Sequence, residues 1–115
     1  MVKRHGNYEV KINENMRGGD GSVKIETLLT PDELNNKGRL FARITIEPGS
    51  SVGYHVHEGE MESYFVISGE GEYSDNGEIV RFFPGDSSYT PAGSGHSLKC
   101  VGSEPLVVIA LILFE

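Results

Sequence analysis

Apolar and polar residues alternate along most of this chain in short runs, which is the period of a β-strand with one buried face. Turn-forming residues separate the runs. Asp75-Asn-Gly77 contains the Asn-Gly pair of a two-residue hairpin, while Pro48-Gly49 suits the centre of a type II turn, as does Pro84-Gly85. The predicted strands cover residues 8–12, 22–29, 40–46, 64–67, 71–74, 78–83, 97–101 and 106–114, with a further strand around 55–57.

One short helical segment interrupts this pattern. Thr30 suits the N-cap position, Pro31 suits the first helical position, and Glu33 completes a capping box. The segment cannot run far, because Asn and Gly residues between positions 35 and 38 end it. About ten short strands with turn residues between them predict an all-β fold, either a double-sheet jelly roll or a small barrel.

Length and composition indicate a single domain over residues 1–115. A chain of 115 residues suits one core, and 15 glycines without any tryptophan indicate many turns. The formal net charge of −7, from 17 acidic and 10 basic residues, disfavours nucleic acid and anionic membranes as partners. A small acid remains compatible with this charge if a bound cation supplies the attraction.

The sequence shows no targeting signal. Met1 to Gly6 lacks an apolar run after its basic residues, and Leu106 to Phe114, the most apolar segment, has about half the length of a membrane helix. Cys100 is the only cysteine, so no intrachain disulfide can form. We therefore expect a cytoplasmic protein without a membrane segment.

Unpaired outer strands are the main liability of such a fold, because an exposed sheet edge invites pairing with another chain. We expect a homodimer in which an N-terminal strand arm, about residues 1–30, or the apolar C-terminal strand covers these edges. The first seven residues, including His5, are expected to be solvated.

Metal-ligand side chains are concentrated in two stretches of the chain. His55 and His57 alternate on a predicted strand, so both imidazoles face one side of the sheet; Glu62 follows on the next strand, and His96 begins another. Imidazole nitrogen and carboxylate oxygen suit divalent manganese, iron, cobalt, nickel, copper or zinc. The alternative is a polar cluster without metal, which would be costly to bury. Glu58 and Glu60 are assigned to a solvated loop.

The two stretches resemble the two defining motifs of the cupin superfamily. The first motif, G(x)5HxH(x)4E(x)6G, is matched at Gly49, His55, His57, Glu62 and Gly69. The second motif, G(x)5PxG(x)2H(x)3N, is matched at Gly85, Pro91, Gly93 and His96, with Cys100 in place of the final asparagine. The resemblance extends from Gly49 to Cys100.

This resemblance implies a double-stranded β-helix, which is a jelly-roll barrel, and an assembly of two or more chains. It also implies that His55, His57, Glu62 and His96 bind one divalent ion, with manganese favoured and iron, zinc and nickel as alternatives. Among cupins, the short single-domain form is similar to small bacterial proteins described as predicted oxalate decarboxylases. The resemblance thus implies a small carboxylic acid as ligand.

The residues that would contact such an acid are less well defined by the motifs. Oxalate decarboxylases carry an arginine three residues before the first motif histidine, where this chain has Val52, and a lid glutamate without a counterpart here. Arg43 is the candidate anion anchor, with a surface arginine as its alternative. Strict alternation turns Tyr64 inward and Tyr54 outward, so Tyr64 is the second candidate. Cys100 either approaches the pocket or packs as a small buried residue.

Three functions are compatible with these residues. The first is an enzyme that decarboxylates or oxidises a small carboxylic acid bound at the metal. The second is a metal-dependent dioxygenase of another small molecule, and the third is a module that binds a small molecule without turnover. Ligand spacing does not distinguish them, because one fold supports many reactions.

Overall fold

β-Strands form nearly all of the regular structure in a computed structural model that describes all 115 residues. The nine strands are β1 (Glu9–Glu14), β2 (Ser22–Leu29), β3 (Gly38–Ile46), β4 (Ser51–Val56), β5 (Glu60–Ser68), β6 (Gly71–Asp75), β7 (Glu78–Phe82), β8 (Gly95–Cys100) and β9 (Leu106–Phe114). A single 3-10 turn, Met16–Gly18, lies between β1 and β2. None of the helical structure is long and apolar enough to cross a membrane.

Two antiparallel sheets make up the molecule. The larger sheet has the strand order β1-β2-β3-β9-β5, and the smaller sheet has the order β4-β8-β6-β7. Two isolated bridges, Glu62 with Thr90 and Phe65 with Ser87, tie the edge of the larger sheet to the segment that precedes β8. This arrangement is the all-β double-stranded β-helix that the sequence predicted.

The core lies between the two sheets and follows the period of two. Ala42, Ile44 and Ile46 on β3 are buried, and so are Val108 and Ala110 on β9. Each fully buried isoleucine or valine side chain contributes about 1.5–3 kcal/mol relative to an exposed one. Because the larger sheet fills this layer with aliphatic residues, polar side chains can enter it only where they have partners of their own.

The structure places Cys100 in this core. Its thiol is fully buried, and it donates a hydrogen bond to the backbone carbonyl of Glu104 at 3.2 Å. Cys100 therefore packs as a small apolar residue and does not approach the metal-ligand side chains.

Turn chemistry follows the sequence closely. Gly49 has φ 81°, and the N–H of Ser50 donates to the carbonyl of Glu47 at 2.8 Å, as a type II turn requires. Asn76 and Gly77 both have positive φ, of 51° and 100°, which is the geometry of the predicted two-residue hairpin.

The predicted helical segment forms only in part. Thr30 and Glu33 make the reciprocal hydrogen bonds of a capping box, with the N–H of Thr30 donating to the Glu33 carboxylate at 2.9 Å. The chain then continues as a series of turns, because Asn35 and Asn36 both adopt the left-handed conformation at φ 56°. A second left-handed residue cannot propagate a right-handed helix.

The N-terminal arm is an integral part of the larger sheet. β1 pairs with β2 and β2 with β3, and the turn between the first two strands packs against β4. A Cβ atom at Gly53 would lie 2.3 Å from the carbonyl oxygen of Arg17, and one at Gly19 would lie 2.3 Å from that of Ser51. The turn docks on β4 because both contact positions are glycine.

Candidate metal centre

Four ligand-type side chains converge between the two sheets. His55 lies on β4, His57 follows that strand, Glu62 lies on β5 and His96 lies on β8. One ligand atom from each lies within 4.8 Å of all the others. His57, Glu62 and His96 are buried, and His55 is half-buried. The structure therefore brings together the four residues that the motifs single out.

The ligand atoms are close enough to share one ion. The Nε2 atom of His96 lies 3.1 Å from Nε2 of His57 and 3.2 Å from Nε2 of His55. Oε1 of Glu62 lies 2.9 Å from Nε2 of His57 and 2.8 Å from Nε2 of His96. The pairing of β4 with β8 shifts register between Val52 and His55, an irregularity of the kind that redirects side chains next to functional sites.

A second layer of contacts fixes the protons of the imidazoles. Nδ1–H of His55 donates to the carbonyl of Gly53 at 2.8 Å, and Nδ1–H of His57 donates to the carboxylate of Glu60 at 3.0 Å. A neutral imidazole that holds its proton on Nδ1 has its lone pair on Nε2. Both rings therefore direct a lone pair into the centre of the cluster.

The third imidazole has hydroxyl partners instead. Nδ1 of His96 lies 2.9 Å from the hydroxyl of Tyr73 and 3.1 Å from that of Thr90, and the two hydroxyls are 2.7 Å apart. The ring of Tyr64 stacks on His96, with centroids 5.1 Å apart and planes 6° from parallel. These contacts hold His96 in one orientation within the core.

The donor set fits a divalent cation. Imidazole lone pairs and a carboxylate oxygen are all electron-rich, and here they converge at one buried point. Their mutual repulsion is poorly screened there, because the local dielectric constant is low. A bound ion removes that repulsion, and outer partners that orient ligating histidines are typical of metal sites. Four protein ligands would leave a divalent ion open to a further ligand, unlike the closed tetrahedron of a structural zinc site.

Hydrogen bonds and burial shift the pKa values of the side chains in the cluster. Hydrogen bonding to Glu62 raises the pKa of His57, whereas burial lowers the pKa of His55. Burial alone would raise the pKa of Glu62, but without a bound ion the Nε2–H groups of His57 and His96 donate hydrogen bonds to its carboxylate and hold that pKa below the usual value. The cluster therefore stabilises an ionised carboxylate next to the imidazoles. A metal ion would take the place of these Nε2 protons.

Glu60 connects the cluster to the larger sheet, although the sequence assigned it to a solvated loop. Its carboxylate accepts two hydrogen bonds from the guanidinium of Arg39, both at 2.7 Å, as well as the bond from His57. These contacts, with Arg39 foremost, lower the pKa of Glu60 to about 2. Only the pairing of β3 and β5 with β9 brings Arg39 and Glu60 together, so local sequence gave no signal for this contact.

A cavity of about 280 Å³ opens next to three of the four ligands, His55, His57 and Glu62. Tyr64 forms part of its wall and is only 3% exposed, so the structure places this substrate-binding candidate beside the ligands. Tyr54, by contrast, is 50% exposed, as strand alternation predicted. Val52 also lines the cavity, at the position where oxalate decarboxylases carry an arginine.

The structure places Arg43, the candidate anion anchor, outside the lining of the cavity. Ala42 and Ile44 on either side of it face the core, so Arg43 lies on the outer face of the larger sheet and does not line the cavity. Its neighbours across the strands are Glu26 and Ile109. His5 lies in the exposed N-terminal segment and is not part of the metal cluster.

The double-sheet fold and the quartet of three histidines and one glutamate define a class of small metal-binding barrels. The cupin domain family matches residues 42–112, and the chain belongs to this family. The matched segment contains all four ligand-type residues but not β1 and β2.

Two related proteins and one crystal structure resemble this chain over at least 95% of its length. The chain is 43% identical to the oxalate-binding protein of Thermotoga maritima over 98% of its own length and 93% of the relative's. The crystal structure of a predicted oxalate decarboxylase from Thermotoga maritima superposes with a TM-score of 0.96 at 43% identity and covers 100% of both chains. A mannose-1-phosphate guanylyltransferase of Escherichia coli is 31% identical over 95% of this chain but only 21% of its own length.

Proposed function

We propose that this chain binds one divalent metal ion through His55, His57, Glu62 and His96 and uses the open side of that ion to bind a small organic acid. The observation that carries the proposal is that the cluster borders a cavity instead of being enclosed by protein. A divalent ion supplies the positive charge that attracts and holds carboxylate oxygens. Manganese is the preferred ion, with iron, zinc and nickel as alternatives.

A small carboxylate is the ligand class with the strongest support. The relative that is 43% identical over nearly the whole chain is an oxalate-binding protein. The chain carries a formal net charge of −7, so an anion would not accumulate near it without a local positive centre. The metal ion would provide that centre, while Tyr64 and the surrounding wall limit the space for the ligand.

Turnover of the acid is the second candidate function, because a predicted oxalate decarboxylase has nearly the same structure. The side chain of Val52 weighs against it, since it presents an apolar group to the cavity where those enzymes carry an arginine. Binding therefore has better support from the site than decarboxylation.

Assembly as a cytoplasmic homodimer through the N-terminal arm is part of the proposal. Val10 and Ile12 on β1 are about half exposed, on the strand at the edge of the larger sheet. A second copy would remove these apolar groups from water and pair the edge. A sedimentation profile that contains only monomer at micromolar concentration would refute this part.

Calorimetric titration tests the metal-dependent binding of an acid. Protein stripped with a chelator and protein reloaded with Mn²⁺ would each be titrated with oxalate and with malonate. We expect heat of binding only for the loaded protein, at one acid per chain. Equal affinity of the stripped and loaded proteins, or no binding to the loaded protein, would contradict the proposal. Carbon dioxide release in the same samples separates turnover from binding.

A further inference from the structure

The cavity beside the metal cluster has more apolar wall than an acid as small as oxalate can use. Its volume of about 280 Å³ is roughly that of nine water molecules at about 30 Å³ each. The apolar part of the wall consists of Met16, Ile25, Leu40, Ile44, Val52, Tyr64 and Ile112. Oxalate consists of two carboxylates joined directly, so it has no hydrocarbon to place against these side chains. An apolar wall of this kind favours a ligand with an apolar body.

Two unpaired cations also line the cavity. Lys11 and Arg17 are exposed, and neither forms an ion pair or a side-chain hydrogen bond within the chain. Arg39, which lines the same cavity, is instead occupied by Glu60. Glu9 lies two residues before Lys11 on β1, so the rim carries one carboxylate against two free cations. This excess of positive charge favours an anionic group at the rim.

The backbone of Arg17 is held against β4. It has φ 55° and ψ 30°, a left-handed conformation that is unfavourable for residues other than glycine. The close approach of the Arg17 carbonyl to Gly53 on β4 holds the turn against the strand that carries His55.

These rim residues lie outside the part of the chain that defines the family. The cupin domain match begins at residue 42, whereas Lys11, Arg17, Ile25 and Leu40 precede it. The family segment thus supplies the metal ligands, and the N-terminal arm supplies the free cations and part of the apolar wall. The arm therefore contributes residues to the cavity that the family segment does not contain.

We infer that the ligand is an organic dianion longer than oxalate, with one carboxylate at the metal, an apolar body against the cavity wall and a second acid group at Lys11 and Arg17. This inference rests on the proposed metal-dependent binding of an acid. It assigns to the N-terminal arm the recognition of the end of the ligand that is remote from the metal.

A chain-length series tests this assignment. Mn²⁺-loaded protein would be titrated calorimetrically with linear dicarboxylates from oxalate to suberate and with monocarboxylates of matching length. We expect affinity to rise from oxalate to a dicarboxylate of intermediate length. Lys11→Gln combined with Arg17→Gln should weaken binding of that dicarboxylate about fivefold to tenfold, because solvent-exposed charge pairs contribute modestly. Oxalate and the monocarboxylates should bind the variant as they bind the wild type.

Two controls separate the possible outcomes. Arg4→Gln combined with Lys99→Gln removes the same charge from exposed positions that do not line the cavity, and should leave all affinities unchanged. Unchanged Mn²⁺ affinity and thermal midpoint would show that the rim variant is folded. The inference is overturned if oxalate binds more tightly than every longer acid and the rim variant binds each acid with the wild-type affinity. That result would leave the proposed function intact. Failure of every acid to bind overturns both.

Discussion

The positions of the imidazole protons determine whether the cluster can bind a metal ion. The carbonyl of Gly53 and the carboxylate of Glu60 accept the Nδ1 protons of His55 and His57, which leaves both Nε2 lone pairs available for an ion. The two motifs predicted the four ligand positions. Within the first motif this was possible because the alternation of side chains along a strand can be read directly from the sequence. Spacing did not predict Glu60 or Tyr73 as outer partners, since their contacts depend on strand pairing.

Tyr73→Phe tests the role of an outer partner. The Tyr73 hydroxyl lies 2.9 Å from Nδ1 of His96, and its removal leaves that nitrogen with Thr90 alone. We expect the affinity for Mn²⁺ to fall by about tenfold, which is typical when a partner of a ligating histidine is lost. Competition with a fluorescent chelator measures this change. Tyr54→Phe, at an exposed position, is the matched control, and equal affinities of the two variants would contradict the role given to Tyr73.

At the scale of elements, the Arg39 and Glu60 pair joins β3 to the start of β5. It also orients His57, so the same contact serves stability and the proposed metal binding. Runs of alternating residues predicted both strands, and the type II and hairpin turns occur where Pro-Gly and Asn-Gly pairs predicted them. Arg43 does not line the cavity, because Ala42 and Ile44 on either side of it occupy the inner face of the strand.

The stability difference between wild type and the Glu60→Gln variant should depend on pH, because the variant lacks the carboxylate charge that pairs with Arg39. The native pKa of about 2 lies below the ordinary value of 4.5, so ionised Glu60 stabilises the fold above that ordinary value. We expect the metal-free variant to be less stable than wild type by about 1 kcal/mol near neutral pH. This difference should shrink as the pH falls from about 4.5 toward about 2, because the wild-type carboxylate takes up its proton there.

Urea unfolding of chelator-treated protein at several pH values measures the difference in free energy of unfolding. Glu58→Gln changes an exposed carboxylate of the same connection and should match wild type throughout. A stability difference between wild type and Glu60→Gln that stayed constant down to pH 3 would show that the charge of Glu60 is not what stabilises the fold.

At the scale of the whole molecule, two parts of the chain meet at one cavity. The segment that matches the cupin family carries the four residues that could hold a metal ion, and the N-terminal arm adds Lys11 and Arg17. The sequence predicted the all-β barrel and the metal cluster, but it did not predict that the arm lines the cavity. That placement depends on β1 and β2 joining the larger sheet and on the turn between them docking against Gly53, which are contacts between distant parts of the chain.

The central claim is that one divalent ion binds at the four converging side chains. Titration of chelator-stripped wild type, His57→Ala and Glu62→Gln with Mn²⁺, followed by elemental analysis of the desalted protein, tests it most directly. We expect one ion per chain in the wild type and an affinity at least about 100-fold lower in each variant, since each loses a ligand at the centre. A wild type that retains no ion, or variants that retain as much as the wild type, would contradict the claim.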